Sequence, residues 1–320
     1  AGEVEPAPIL AADDLARPRA ELTDRNGQLL AVNLPVVSLD VDGRKVWDPD
    51  ETAAALAGLL PKVDGSELAE KLKARRYVTV AKELSPEKRA EVFALGLPGV
   101  LFQPHEKRLY PRGDAGAHVL GHVDADGVGV MGMERWLDEA APTAASVALS
   151  IDLRAQQALE EELERGVAEF EAIAGWGVAL DVDTGEVLAL ASNPTFDPNQ
   201  YGRAEADARR NRATFDRYEL GSAFKAITVA LALESKTASL KDVYDARKPL
   251  RISGHTIRDF HPENRPLSVA EVFMYSSNIG SAKMALEAGV ERHRALIGSL
   301  GLLDRLAMEL PERGRPLSPE

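Results

Sequence analysis

The 320-residue chain contains no cysteine. Disulfides, thiolate catalysis and cysteine-based zinc sites are therefore excluded. The compartment stays open, because exported and cytosolic proteins alike fold without bridges. No apolar stretch reaches the roughly 18 residues that a membrane-spanning helix needs. No signal-peptide pattern opens the chain. Internal repeats and low-complexity segments are missing too. A basic excess is also missing: the formal net charge is -13, which disfavours a nucleic-acid partner. What is present suffices for a folded protein. Apolar residues make up 45% of the chain, enough to bury a core. The length suggests about two domains.

The chain starts at Ala1 and stops at Pro319-Glu320 after a polar stretch, so both ends read as cut boundaries. Residues 1–18 carry Pro6, Pro8 and Pro18 and read as a tail or linker. Arg19 to Val41 reads as strand, turn and strand around Asn26-Gly27. A helix is expected from near Asp50 to before Pro61, and another over Glu67 to Arg75 with Ser66 as N-cap. Tyr77 to Lys82 alternates as a strand. Ser85-Pro86 opens a further helix. Gly, Pro and His punctuate residues 96–132, which predicts irregular structure there. From Ser150 the pattern changes. Leu159, Leu163, Val167 and Phe170 share a helix face, and Asp152 stands near the start. Apolar runs at 176–181 and 186–191 flank Asp183-Thr184-Gly185, a hairpin whose strands are expected to be buried on both faces. Next come a helix opened by Ser222, a long connection over 236–266, and helices from about Val269 and Ser277. Gly289 is the natural stop of the last one. The expected class is α+β.

Ser222-Ala223-Phe224-Lys225 is the stretch richest in chemistry. A serine and a lysine three apart lie on one helix face. A neutral lysine there can take the serine proton and leave a nucleophile for acyl transfer. Gly221 lets the chain turn sharply into a helix whose remaining residues are almost all apolar, which predicts burial. Burial would lower the lysine pKa, as a general base requires. The structural alternative pairs Lys225 with a carboxylate and leaves Ser222 as a cap. Downstream, Ser276-Ser277-Asn278 reads either as helix capping or as a proton relay at Ser276 with a substrate amide contact at Asn278. A second S-x-x-K, Ser85 to Lys88, reads as an ordinary helix start.

His118 and His122 are four apart but lack a third ligand, so no metal and no cofactor is expected. Glu160-Glu161-Glu162 reads as a solvated helix face. Arg258-Asp259-Phe260-His261 suggests a His-Asp pair, but surface structure is the expectation.

Tyr218 to Lys225 together with Ser276-Ser277-Asn278 resembles the class B penicillin-binding proteins, the D,D-transpeptidases that cross-link peptidoglycan. Arg19 to Gly27 resembles the family's N-terminal R-[G/A]-x-[I/L]-x-D-R-x-G box. Tyr110-Pro111 and Gly129 to Glu134 resemble later boxes of that module. Ser150-Ile151-Asp152 and Ala191 to Asn199 look like the start of the transpeptidase domain. Asn211-Arg212-Ala213 with Glu219 resembles the septal, cell-division type.

The resemblance implies a pedestal over 19–148 and a transpeptidase domain of serine β-lactamase-like fold, helices packed on an antiparallel sheet, over 149–320. It implies Ser222 as the acylated nucleophile, Lys225 as its base, Ser276 as proton shuttle and Asn278 as the contact to the substrate peptide. The Ser222 backbone N–H would be one oxyanion donor. Stem peptides ending in D-Ala-D-Ala and β-lactams are the implied ligands, and membrane-anchored division proteins the implied partners of the pedestal. A single-pass anchor upstream of Ala1 would place both domains outside the cytoplasmic membrane.

Two departures stand out. Position 220 holds Leu where the family usually has Pro. The family's K-[S/T]-G motif is absent; Lys236-Thr237-Ala238 has Ala in place of Gly and reads as loop. Three of five core strands would then be missing, leaving an open sheet edge. The chain as given is expected to be inactive without that half, and robust labelling of Ser222 by a fluorescent penicillin would refute this. The rival readings are a non-catalytic division scaffold and a serine β-lactamase or β-lactam sensor.

Overall fold

A computed structural model of the chain describes residues 19–317. The tail or linker expected over residues 1–18 lies outside the described residues. The architecture is α+β, with two compact units, Ala1–Arg210 and Asn211–Glu320.

The N-terminal unit begins with β1 (Glu21–Thr23), β2 (Leu29–Asp42), α1 (Pro49–Leu59), α2 (Gly65–Lys73), β3 (Tyr77–Ala81), α3 (Pro86–Ala94) and β4 (Val100–Leu109). The long strand β2 is the spine. It pairs antiparallel with β1 near its start, with β3 near its end, and with β4 from Val32↔Leu109 to Val41↔Val100. Leu39 and Val41 on one face of β2 pack under the three helices with Leu56, Leu68, Leu72 and Val92. The strand β4 corrects the irregular structure expected over 96–132. Its sequence hides it, because Pro104 and the polar residues around it break any alternation. Among the described residues β4 is an edge strand, where a proline costs no ladder bond. Asp64, not Ser66, caps α2: its carboxylate accepts from the Ser66 and Glu67 N–H groups. Ser85 caps α3 as expected, and Lys88 pairs with Glu91, so the second S-x-x-K is structural.

The unit continues with α4 (Ala117–Leu120), β5 (His122–Val123), β6 (Gly129–Met131), α5 (Gly132–Ala140), β7 (Ser146–Ala148), α6 (Leu153–Glu169), β8 (Gly175–Leu180) and β9 (Val187–Asn193). β7 adds parallel to β1. Asp24 stitches the turn before β2 to the start of α6. Its buried carboxylate accepts from the N–H groups of Asn26 and Gln28 at 2.8 Å and of Leu153 at 3.2 Å. Burial pushes that carboxyl up, but the backbone donors outweigh it and hold the pKa below the usual range. α6 packs against the β8–β9 hairpin, and Gly177 permits the approach: a Cβ there would meet Leu159 at 2.7 Å. The other face of β8 exposes Trp176, Val178 and Leu180, so the expectation of strands buried on both faces fails for β8. Glu160 is not solvated as expected. It accepts from the Gly116 N–H and Gln156 Nε2, both at 2.8 Å, and desolvation raises its pKa.

The boxes at Arg19 and at Gly129 to Glu134 meet in one buried ion network. Glu134 is fully buried and accepts from Arg19 Nε at 2.5 Å and from Arg108 Nε at 2.8 Å. Arg108 also reaches Asn33 Oδ1 at 3.0 Å, and Asn33 donates to the Arg19 carbonyl at 2.6 Å.

His118 and His122 are core residues. His118 Nε2 lies 2.9 Å from the Ala208 carbonyl. His122 is 1% exposed, stands edge-on to Tyr201 and Phe196, and has no hydrogen-bond partner on either ring nitrogen among the described residues. Burial, aided by the Arg209 charge and opposed by Asp124, lowers its pKa to about 4. The folded value is depressed, so the neutral ring's contribution is complete above the unfolded pKa near 6.5 and is lost as pH falls toward 4. We expect unfolding free energy to drop by about 3 kcal/mol across that window on account of this residue. Urea titrations of wild type and His122→Leu at several pH values check it: the variant should lose that part of the pH dependence.

The C-terminal unit contains α7 (Arg212–Phe215), α8 (Lys225–Glu234), β10 (Val243–Asp245), β11 (Leu250–Ile252), β12 (His255–Ile257), β13 (Pro266–Ser268), α9 (Val269–Met274), α10 (Asn278–Ala288) and α11 (Val290–Ser299). The long connection over 236–266 therefore holds short strands, with β10 paired to β13 and β11 to β12. Val229 and Ala232 of α8 pack with Val269, Val272, Ile279 and Met284, giving this unit its own core. Lys236 ends α8 in left-handed backbone and Thr237 bonds back to the Ala232 carbonyl, so Lys236-Thr237-Ala238 is a turn, not a strand.

Candidate active site

Ser222 lies in a 3-10 turn, Gly221–Phe224, that runs directly into α8. Gly221 adopts φ +57°, which a glycine takes without strain. α8 buries Thr228, Val229, Leu231 and Ala232 but exposes Ala226 and Ala230. The helix is thus one-sided rather than wholly buried, and Lys225, at its first position, is half-buried.

α9 begins with a full capping box: Ser268 Oγ accepts from the Glu271 N–H, and the Glu271 carboxylate accepts from the Ser268 N–H. It ends in a two-bond terminal motif. The Ser277 N–H donates to the Val272 carbonyl and the Ser276 N–H to the Phe273 carbonyl. The motif requires a left-handed residue after the cap, normally glycine. Here Ser276 fills that place at φ +53°. α10 then starts at once, with Ser277 as N-cap. Gly280 lets α10 lie against α9, since a Cβ there would sit 2.4 Å from Val272 Cγ2.

This geometry brings three of the four expected residues together. Lys225 Nζ lies 3.3 Å from Ser222 Oγ, 2.9 Å from Ser276 Oγ and 2.5 Å from the Ser276 carbonyl. The two acceptors on Ser276 can take the two N–H bonds of a neutral amine, which leaves its lone pair for the Ser222 hydroxyl. Burial lowers the Lys225 pKa, and the Asp259 charge opposes that shift. Asn278 does not join the cluster through a hydrogen bond; its Nδ2 donates to the Arg258 carbonyl at 2.8 Å. Asp259, which local pattern offered only as half of a His-Asp pair with surface structure as the expectation, instead grips the start of α10. Its two oxygens accept from Ser277 Oγ and from the Ile279 N–H, each at 2.9 Å, while the neighbouring His261 stacks edge-on with Phe260. Nothing local signals these bonds, which span 18 and 20 residues.

The left-handed Ser276 implies stored strain of about 1 kcal/mol. Ser276→Gly should keep or raise the melting temperature while slowing any chemistry that runs through the Ser276 hydroxyl. Thermal unfolding and acylation kinetics on one preparation of the full-length gene product check both halves.

Residues 175–315 match the penicillin-binding protein transpeptidase domain, and residues 15–141 the penicillin-binding protein dimerisation domain. The chain is 42% identical over 306 residues to the probable peptidoglycan D,D-transpeptidase FtsI of Caulobacter vibrioides, covering 94% of this chain and 52% of that protein. It is 33% identical over 336 residues to the probable peptidoglycan D,D-transpeptidase PenA of Neisseria gonorrhoeae, covering 95% and 57%. It is 31% identical over 302 residues to the peptidoglycan D,D-transpeptidase FtsI of Escherichia coli, covering 84% and 51%. A solved peptidoglycan synthetase from Bifidobacterium adolescentis shares the fold at TM-score 0.68 and 22% identity, over 94% of this chain and 65% of that one. The chain spans about half the length of the curated relatives it matches. A dimerisation domain followed by a transpeptidase domain, and relatives that align along nearly the whole chain, place it in a family: the chain belongs to the class B penicillin-binding proteins.

Proposed function

We propose that this protein is a peptidoglycan D,D-transpeptidase of the septal type. The observation that carries the reading is the Lys225 amine, which stands within hydrogen-bond reach of both the Ser222 and Ser276 hydroxyls. Similarity to transpeptidases named FtsI in two organisms supports the septal assignment. The reading divides the chain into a pedestal over 19–148 and a transpeptidase domain from 149 onward, in keeping with the spans that the two domain families match.

In this mechanism neutral Lys225 takes the Ser222 hydroxyl proton as Oγ attacks the carbonyl carbon between the two terminal D-Ala residues of a donor stem peptide. The Ser222 N–H is one donor to the resulting oxyanion. The C–N bond breaks, and the departing D-Ala amine receives a proton passed from Lys225 through the Ser276 hydroxyl. The amine of a second stem peptide then attacks the acyl-enzyme and regenerates Ser222, with Lys225 and Ser276 returning the proton. Asn278 orients the peptide by its side-chain amide. A β-lactam acylates Ser222 by the same first step, but its leaving amine stays tethered.

The pedestal docks other division proteins; Trp47, 88% exposed, and Phe93, 75% exposed, offer apolar contact area there. Both domains work outside the cytoplasmic membrane, held by an anchor. No helix among the described residues is long and apolar enough to cross a membrane. The test is D-Ala release from a pentapeptide stem, with transfer to an acceptor amine, by the full-length gene product and by its Ser222→Ala variant. Release by the wild type alone supports the reading, and equal release by both refutes it.

A further inference from the structure

We infer that Asp259 is a positioning residue of the acyl-transfer site, bracing the turn between α9 and α10 so that Ser276 meets Lys225 and Asn278 faces the substrate. The inference rests on the reading proposed above. Three bonds from the loop at Arg258-Asp259 grip three consecutive residues. Asp259 Oδ2 accepts from Ser277 Oγ at 2.9 Å, the Arg258 carbonyl accepts from Asn278 Nδ2 at 2.8 Å, and Asp259 Oδ1 accepts from the Ile279 N–H at 2.9 Å.

A helix cap alone does not account for this arrangement. Ser277 already caps α10, accepting from the Gly280 N–H at 3.0 Å. Asp259 holds that capping hydroxyl from behind, and its charge also favours the helix N-terminus. Its reach extends past the helix. Ser276, next to the clamped Ser277, sits in left-handed backbone that serine does not favour, and in that conformation it turns both its carbonyl and its hydroxyl to Lys225. Something must hold a strained turn in place, and the Asp259 clamp is adjacent to it. The carboxylate is also the charged group whose field acts on the Lys225 amine, against the effect of burial. Asp259 therefore fixes the geometry of the relay and limits how readily Lys225 loses its proton.

Two variants separate positioning from plain stability. Asp259→Asn keeps the shape, an acceptor for Ile279 and a donor for Ser277, but removes the charge. Asp259→Ala removes the clamp. Melting temperature and the second-order rate of Ser222 acylation by a fluorescent penicillin are measured from acid to alkaline pH on the full-length gene product. The alanine variant should acylate at least about tenfold more slowly at neutral pH, because small misplacements of reacting groups cost that much or more. In the asparagine variant the acidic limb of the rate profile should move to lower pH, since Lys225 loses the charge that favours its protonated form. A structural cap would lower the melting temperature without moving that limb. If the alanine variant fails to fold, the asparagine limb alone decides. Wild-type acylation with both variants unchanged in rate and limb overturns the inference and spares the function. Absence of wild-type acylation overturns the function, and the inference with it.

Discussion

Replacing Lys225 with alanine should slow penicillin acylation of Ser222 by about 10²- to 10⁴-fold, the contribution typical of a positioned general base. The lysine is half-buried and ends on the hydroxyl and carbonyl of a neighbouring turn, so unfolding free energy should change by no more than about 1 kcal/mol. The pH dependence carries a second signature. A base works only when neutral, and burial lowers the Lys225 pKa from the ordinary lysine value of 10.5. Wild-type acylation should therefore rise with pH along a limb that lies below the usual lysine range. The residual rate of the alanine variant should lack that limb. Stopped-flow acylation of the full-length gene product across pH, with thermal melts alongside, checks all three statements. A variant that acylates as fast as wild type would return Lys225 to the structural alternative.

The second large effect belongs to stability. Glu134→Ala should destabilise the N-terminal unit by about 3–5 kcal/mol. The substitution leaves the guanidinium groups of Arg19 and Arg108 facing one another where Glu134, fully buried, had separated and neutralised them. Arg19 keeps Asp138 as a partner at 2.5 Å, and Arg108 keeps Asn33. Neither replaces a carboxylate shared between two cations. Urea unfolding measures the loss. A change below about 1 kcal/mol would mean that water reaches the network and that its burial contributes little.

The sequence displayed its local signals and concealed its long-range ones. Ser85-Pro86, Asp152 and Ser277 announced helix starts because capping depends on a few adjacent residues. Gly289 marked the end of α10 for the same reason. β4 stayed hidden, since Pro104 and its polar neighbours show no alternation and only pairing with β2 makes them a strand. Glu160 sat within a run of three glutamates that looked alike. Only the fold reveals that the first one meets the Gly116 N–H. The same holds for the site. The spacing of Ser222 and Lys225 was visible as a helix-face pair. The contact of Lys225 with Ser276, 51 residues away, was one of two readings of Ser276-Ser277-Asn278, capping or relay, that the residues alone left open, and only the structure measures it. Asp259 lies in a loop without periodicity, so its grip on Ser277 and Ile279 had no sequence signature.

Ser222 Oγ is the atom expected to be acylated. The full-length gene product incubated with benzylpenicillin, digested and read by mass spectrometry should carry one penicilloyl adduct, on the peptide and the residue of Ser222. Ser222→Ala should carry none. An adduct on another residue, or equal labelling of the alanine variant, would contradict the assignment of Ser222 and Lys225 as nucleophile and base.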